Sequence, residues 1–222
     1  MHPVVTLFDV DNTLLDNDRV VADLMRYMTQ QLGEDRQRHY WDLFEGLRSE
    51  LGYADYLGAL QRYRAAYPRD THVLSVSSFL IDYPFANRLF PQSLDVVDRA
   101  RTWGPVAVLS DGDVVFQPRK ISRSGLLDSV RGNVLIYVHK EQELGDVERR
   151  YPAERYIFVD DKLWLLDAFK RHWKGRVTTV WPKQGHYITD KRVSDLPAPD
   201  VIVERIGELL KWELPALVRA AG

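Results

Sequence analysis

Residues 4–15 read VVTLFDVDNTLL. Five residues, apolar but for Thr6, run straight into Asp9, and Asp11 follows after the single spacer Val10. A near-continuous apolar run is what a strand covered on both faces requires. Two carboxylates where such a strand ends are costly to desolvate unless something pairs with them. The same form recurs downstream. VAVL (106–109) runs into Ser110 and the turn DGD, VLIYV (134–138) into His139 and Lys140, and YIFV (156–159) into Asp160 and Asp161. A fifth run, VTTVW, spans 177–181. From Ser110 onward the intervening segments carry helical spacing, as in Glu143, Leu144, Val147 and Tyr151, then Leu163, Leu166, Phe169 and Lys170. Strands alternating with helices predict an α/β fold, a Rossmann-like parallel sheet with right-handed crossovers.

One connection breaks that alternation. Residues 16–90 are far more than a crossover needs. Val21, Leu24, Met25, Met28 and Leu32 form one helical stripe; Tyr40, Leu43, Phe44, Leu47 and Leu51 a second; Tyr53, Tyr56, Leu57, Leu60 and Tyr67 a third. Tyr67-Pro68 ends the last of them. The pattern predicts a core domain of residues 1–15 and 91–222, with an α-helical cap domain, 16–90, inserted. A helix over about 91–103 returns the chain to the second strand, and VIVERIGELLKWELPALVRAAG (201–222) reads as one or two closing helices.

Composition narrows the function classes. The 222 residues are 45% hydrophobic, enough for a sizeable core. A net charge of −2 gives no basic excess of the kind that marks a nucleic-acid binder. There is no cysteine, which excludes disulfides, Cys-based zinc sites and a thiol nucleophile. The N-terminus MHPVVTLFDVD lacks the basic region of a signal peptide, and no apolar run approaches the length of a membrane span. The expectation is a cytoplasmic protein with no nucleic-acid or membrane partner; monomer and homodimer both stay open.

The chemistry gathers at the strand ends. Ligands of open α/β sheets bind outside the carboxyl ends of the strands. Neighbouring strands would bring Asp9, Asp11, Ser110, Lys140, Asp160 and Asp161 to one site. Clustered carboxylates need a cation to stay ionised, and oxygen donors without His or Cys favour a hard one, Mg²⁺ before others. A serine hydroxyl and the backbone amides of the turn Ser110-Asp111-Gly112 suit phosphoryl oxygens. An aspartate can attack phosphorus, and a second carboxylate can protonate the leaving oxygen and then activate water. Extended backbone places residues 9 and 11 on one side, roughly 6–7 Å apart.

FDVDNTL (8–14), VLSDGD (108–113), Lys140 in VHKE and VDD (159–161), in this order, resemble the haloacid dehalogenase superfamily of hydrolases. The resemblance implies Asp9 as nucleophile and Asp11 as general acid/base, its backbone carbonyl also reaching the metal. It implies Ser110 as the phosphate-orienting hydroxyl, with Asp111 and Gly112 beside it, and Lys140 as the ammonium steadying nucleophile and phosphate. Asp160 and Asp161 are implied as the Mg²⁺-binding pair, completing a metal set of Asp9, Asp11, Asp160 and Asp161. The expected reaction is hydrolysis of a small phosphorylated metabolite through an aspartyl-phosphate, under a mobile cap. Alternatives are a phosphotransferase or mutase with the same residues, a dehalogenase, or a non-catalytic binding protein of the same fold. Asp11 argues against the dehalogenase. Asp111 stands where the family often has Asn, and its charge needs compensation. Lys120 rivals Lys140, but it falls in the helix after the second strand. His186 reads as a loop or structural histidine, and Arg62, Arg64, Arg88, Arg155 and Lys162 as solvated charges.

Overall fold

The apolar runs become the strands of one parallel sheet in a computed structural model that describes residues 1–221. β1 is His2–Phe8. Four helices follow before the next strand: α1 (Asn17–Leu32), α2 (Glu34–Leu51), α3 (Tyr56–Ala66) and α4 (Val73–Asp82). Then come α5 (Ser93–Arg101), β2 (Val106–Asp111), α6 (Phe116–Arg123), α7 (Leu126–Ser129), β3 (Val134–Tyr137) and α8 (Leu144–Arg150). The chain ends with β4 (Ala153–Val159), α9 (Leu163–Trp173), β5 (Val177–Pro182), β6 (Val201–Val203) and α10 (Leu214–Ala220). None of the helices described is long and apolar enough to cross a membrane.

The strand order is β3-β2-β1-β4-β5-β6. The chain winds outward from β1 through β2 and β3, then returns to lay β4 on the other side of β1. That reversal is the switch point where such sheets open a crevice. Register fixes what meets there. Phe8 pairs with Val108 on one side and Val159 on the other, so Asp9 emerges level with Asp160. Alternating side chains explain the continuous apolar strands. Val4, Phe8, Val108 and Val159 pack on one face, and Val5, Leu7, Leu109 and Phe158 on the other. Phe158 stacks on Phe169 of α9 at 3.8 Å, which fastens that helix over β4.

Helices α1–α4 form the insertion between β1 and β2. It leaves and rejoins the core through two adjacent segments: the Asp16 amide donates to the Arg88 carbonyl (2.7 Å) and the Phe90 amide to that of Leu14 (2.9 Å). An aromatic series, Trp41, Phe44, Tyr56, Phe116, carries its packing onto α6 of the core.

Three local expectations change. The C-terminal stretch opens with a strand, β6, before its helical turns. Three residues are too few to show a period, and Ile202 points outward on this edge strand. Helix α4, VLSVSSFLID, has weak helix formers and is held by burying Val76 and Leu80. The third difference is at the site: β1 ends at Phe8, so Asp9 and Asp11 do not share an extended strand. The chain instead turns on the Val10 carbonyl, which accepts from the amides of Thr13, Leu14 and Leu15. Asn12 sits at φ 58°, a conformation asparagine tolerates.

Candidate active site

The turn sends the two carboxylates of DVD to different partners. Asp9, 3% exposed, accepts from Lys140 Nζ on Oδ1 (2.6 Å) and more weakly from the Thr13 hydroxyl on Oδ2 (3.3 Å). Lys140, wholly buried in the helical turn after β3, also donates to the Leu109 carbonyl (3.2 Å). It also pairs with Asp160 Oδ2 at 2.6 Å. Burial lowers an ammonium's pKa, but Asp160, Asp9 and Asp111 around it outweigh that and hold Lys140 firmly charged.

Asp11 is bound by a second lysine. Lys120 Nζ donates to Asp11 Oδ1 (2.6 Å) and to Asn17 Oδ1 (3.0 Å). The Gln117 amide nitrogen bridges Asp11 Oδ2 (3.2 Å) and the Ser110 hydroxyl oxygen (2.9 Å). Gln117 and Lys120 are one helical turn apart on the buried side of α6. One helix thus orients both the serine at the end of β2 and the carboxylate after β1. Lys140 takes the place expected of it beside Asp9, and Lys120 joins the site on a different carboxylate.

Asp160 and Asp161 follow β4. The Asp160 carboxylate accepts from the Lys162 amide (2.8 Å). The Asp161 amide donates to the Thr13 hydroxyl (3.0 Å) and its carbonyl accepts from the Trp181 indole (2.8 Å), so its backbone is fixed. Its carboxylate, 1% exposed, has no hydrogen-bond partner on either oxygen among the described residues. Burial and the neighbouring Asp160 push the Asp161 carboxyl far above its usual range, and burial also raises Asp160. Asp9, Asp160 and Asp161 each offer an oxygen within 4.8 Å of the others. Three buried carboxylates, with Asp111 beside them, outnumber the paired ammonium of Lys140 and the more distant charge of Lys162, and an orphaned carboxylate marks where the deficit lies. An all-oxygen set of this kind fits a hard divalent cation. The Asp11 carboxylate lies outside this cluster.

The Ser110-Asp111-Gly112 turn is arranged differently from a simple phosphate cradle. The Gly112 amide is committed to the Tyr137 carbonyl (3.0 Å), so it does not face the site. What Gly112 provides is space: a Cβ there would stand 2.8 Å from Gln117 Cβ. Asp111 turns its carboxylate to the Lys140 amide (2.8 Å). Burial raises its pKa, and the charges of Lys140 and Lys162 oppose the rise. The compensation its charge requires is thus supplied by two lysines.

At the rim, Tyr187 accepts from Arg48 of α2 (2.7 Å). Lys162 is half-buried, its Nζ 5.6 Å from the centre of the Tyr187 ring. His186 pairs with Asp18 (2.6 Å), which Asn12 also holds, so this histidine braces the turn after Asp11. Arg62 and Arg88 are spent on Glu50 and Asp23 inside the insertion. Sequence reading passed over Gln117, Thr13 and Arg48, and it took Lys162 for a solvated charge where the structure half-buries it. Gln117 shares the buried side of α6 with Lys120, and that was its visible signal; nothing marked Arg48.

A family model described as haloacid dehalogenase-like hydrolase matches residues 5–172. Comparison with curated proteins gives no match. Among solved structures, a presumed haloacid dehalogenase-like hydrolase from Burkholderia xenovorans LB400 is 57% identical, with 96% of this chain and 100% of that one covered and a TM-score of 0.91. A presumed hydrolase of Bacillus subtilis, YfnB, bound to magnesium, is 15% identical over 95% and 98% of the two chains (TM-score 0.61). An L-2-haloacid dehalogenase of Xanthobacter autotrophicus, with chloropropionic acid covalently bound, is 18% identical over 95% and 98% (TM-score 0.60). The last two share the fold.

Proposed function

Because the chain belongs to the haloacid dehalogenase-like hydrolases, we propose that it is a Mg²⁺-dependent phosphatase of small phosphomonoesters. The observation that carries this reading is Asp11, held by Lys120 and Gln117 outside the buried carboxylate cluster. A halide leaves without a proton, so a dehalogenase has no use for such a group. An alkoxide leaving phosphorus needs one, and a positioned acid typically contributes about 10²–10⁴-fold.

In this reading Asp9 attacks phosphorus; the P–O bond to the alcohol breaks, and Asp11 gives its proton to the departing oxygen. Asp11, now ionised, takes a proton from water. The water oxygen attacks the aspartyl-phosphate, phosphate leaves and the Asp9 carboxylate returns. Lys140 orients Asp9, and Gln117 aims the Ser110 hydroxyl. Asp9, Asp160 and Asp161 would hold the metal, which when bound neutralises phosphoryl charge. Helices α1–α4 act as the cap, closing over the site and excluding water.

The test is phosphate release from an aryl phosphate, with Mg²⁺ or with chelator, beside Asp9→Asn. Turnover that needs Mg²⁺ and vanishes in the variant supports the reading; metal-independent turnover surviving Asp9→Asn sinks it. A mutase would use the same residues, and product analysis separates the two.

A further inference from the structure

The side chain of Asp11 is held from α6, but the backbone that carries it is held from a distant part of the chain. The carbonyls of Asn12 and Thr13, residues 2% and 0% exposed, both accept from one side chain, Gln184. Its Nε2 donates to Thr13 at 3.0 Å and to Asn12 at 3.3 Å. Gln184 is itself buried, and its Oε1 accepts from the Ile206 amide (2.7 Å), which fixes the end of the amide that faces the turn. Gln184 lies just past β5, which is separated from β1 by β4. The contact therefore reaches across the end of an intervening strand.

The next two residues complete the hold on Asn12. Gly185 sits at φ 70°, and a Cβ there would stand 2.5 Å from Asn12 Cβ, so only glycine lets the chain pass this close. His186 Nδ1 meets Asp18 Oδ1 (2.6 Å), the oxygen that also accepts from Asn12 Nδ2 (3.0 Å). The Asp18 amide in turn donates to Asn12 Oδ1 (3.1 Å). Asn12 is thus fixed at its carbonyl and at both ends of its side chain, in the left-handed conformation that swings Asp11 away from Asp9. Asp9 has a direct anchor of its own in Lys140. Asp11, one residue from Asn12 and 29% exposed, depends on the turn for its direction.

We propose that Gln184, Gly185 and His186 form a clamp that aims Asp11 at the leaving oxygen. They are positioning residues for the protonation of the departing alcohol, acting through Asn12. This rests on the phosphomonoester reading above.

Esters with different leaving groups separate that role from a general loss of structure. A nitrophenolate leaves phosphorus with little need of a proton, whereas an alkoxide needs one. The quantity kcat/KM covers the steps up to that departure, so the later attack of water on the aspartyl-phosphate does not enter. The Mg²⁺-loaded protein is assayed on p-nitrophenyl phosphate and on propyl phosphate. In Gln184→Met and His186→Ala the ratio of kcat/KM, nitrophenyl over propyl, should rise about tenfold or more, as a misaimed group costs. His186→Asn, whose amide stands where Nδ1 was, should keep most of the normal ratio. Asp11→Asn sets the ceiling, a rise of about 10²–10⁴-fold. The His186 side chain is 54% exposed, so its replacement spares the fold even if Gln184→Met does not. Variants that lower both esters alike, or neither, while Asp11→Asn shifts the ratio, overturn the clamp and leave the phosphomonoester reading standing. An unshifted ratio in Asp11→Asn, or failure of the unaltered protein to cleave propyl phosphate, overturns that reading and the clamp together.

Discussion

Replacing Asp161 with asparagine should change stability in opposite directions with and without metal. The carboxylate is 1% exposed and unpartnered on both oxygens. A buried ion in that state costs several kcal/mol. Asparagine removes the charge but brings an amide whose donors lack acceptors, a penalty of about 1–3 kcal/mol. The difference leaves the metal-free variant about 1–2 kcal/mol more stable at neutral pH. In a domain of this size that is a rise of about 2–8 °C in Tm. With Mg²⁺ at about 100 times its Kd, the unaltered protein gains about 2.7 kcal/mol, or roughly 5–11 °C. The variant, short of one of three carboxylates, should gain little. Scanning calorimetry of both proteins, in chelator and in excess Mg²⁺, reads all four values. A variant that melts lower in chelator, yet keeps the full Mg²⁺ shift, would refute the assignment of Asp161 as the vacant charge of the cluster.

Three further outcomes follow from the same contacts. Lys120→Met should lower kcat at least about tenfold, since Asp11 loses its main partner; unfolding should cost only about 1–3 kcal/mol less, below the range for wholly buried pairs because Asp11 is 29% exposed, and adding Asp11→Asn should restore stability in denaturant titration. Gly112→Ala should lower activity about 10–100-fold with little loss of fold, because its Cβ displaces Gln117 from Ser110 and Asp11; kcat beside the circular dichroism spectrum checks both halves. In the insertion, burial raises the pKa of Asp70, but bonds from Tyr63, His72 and Arg36 win and hold it at about 2. A depressed carboxylate stabilises above its unfolded pKa, so roughly 2 kcal/mol present above about pH 4 should be lost between about pH 4 and 2; Asp70→Asn should flatten that part of the stability profile measured in urea.

The fold was legible because its strands are covered on both faces. That burial forces continuous apolar runs, and each ends abruptly where a polar group enters the crevice. Asp9, Lys140, Asp160 and Asp161 were visible for that reason. The strand order was not, since apolar runs carry no record of their neighbours. Residues 201–203 carry too short a pattern to declare an edge strand, and α4 owes its form to Val76 and Leu80 packing inward. At the site, what sequence could not supply is direction. The turn on the Val10 carbonyl separates Asp11 from Asp9 and delivers it to Lys120, and no spacing rule encodes that. Lys120 itself was readable in part, as a lysine on a buried helix face. Arg48 was beyond reach, because its partner Tyr187 lies on the far side of the chain and only the closed packing brings them together.

The most direct measurement is on Asp9 itself. Protein turning over an aryl phosphate with Mg²⁺ is quenched in acid, digested, and its peptides are weighed. The expected result is a phosphoryl group on the peptide carrying Asp9, removed by hydroxylamine and absent in Asp9→Asn. Rapid turnover with no phosphorylated peptide at any quench time, or a phosphoryl group on a peptide without Asp9, would contradict it.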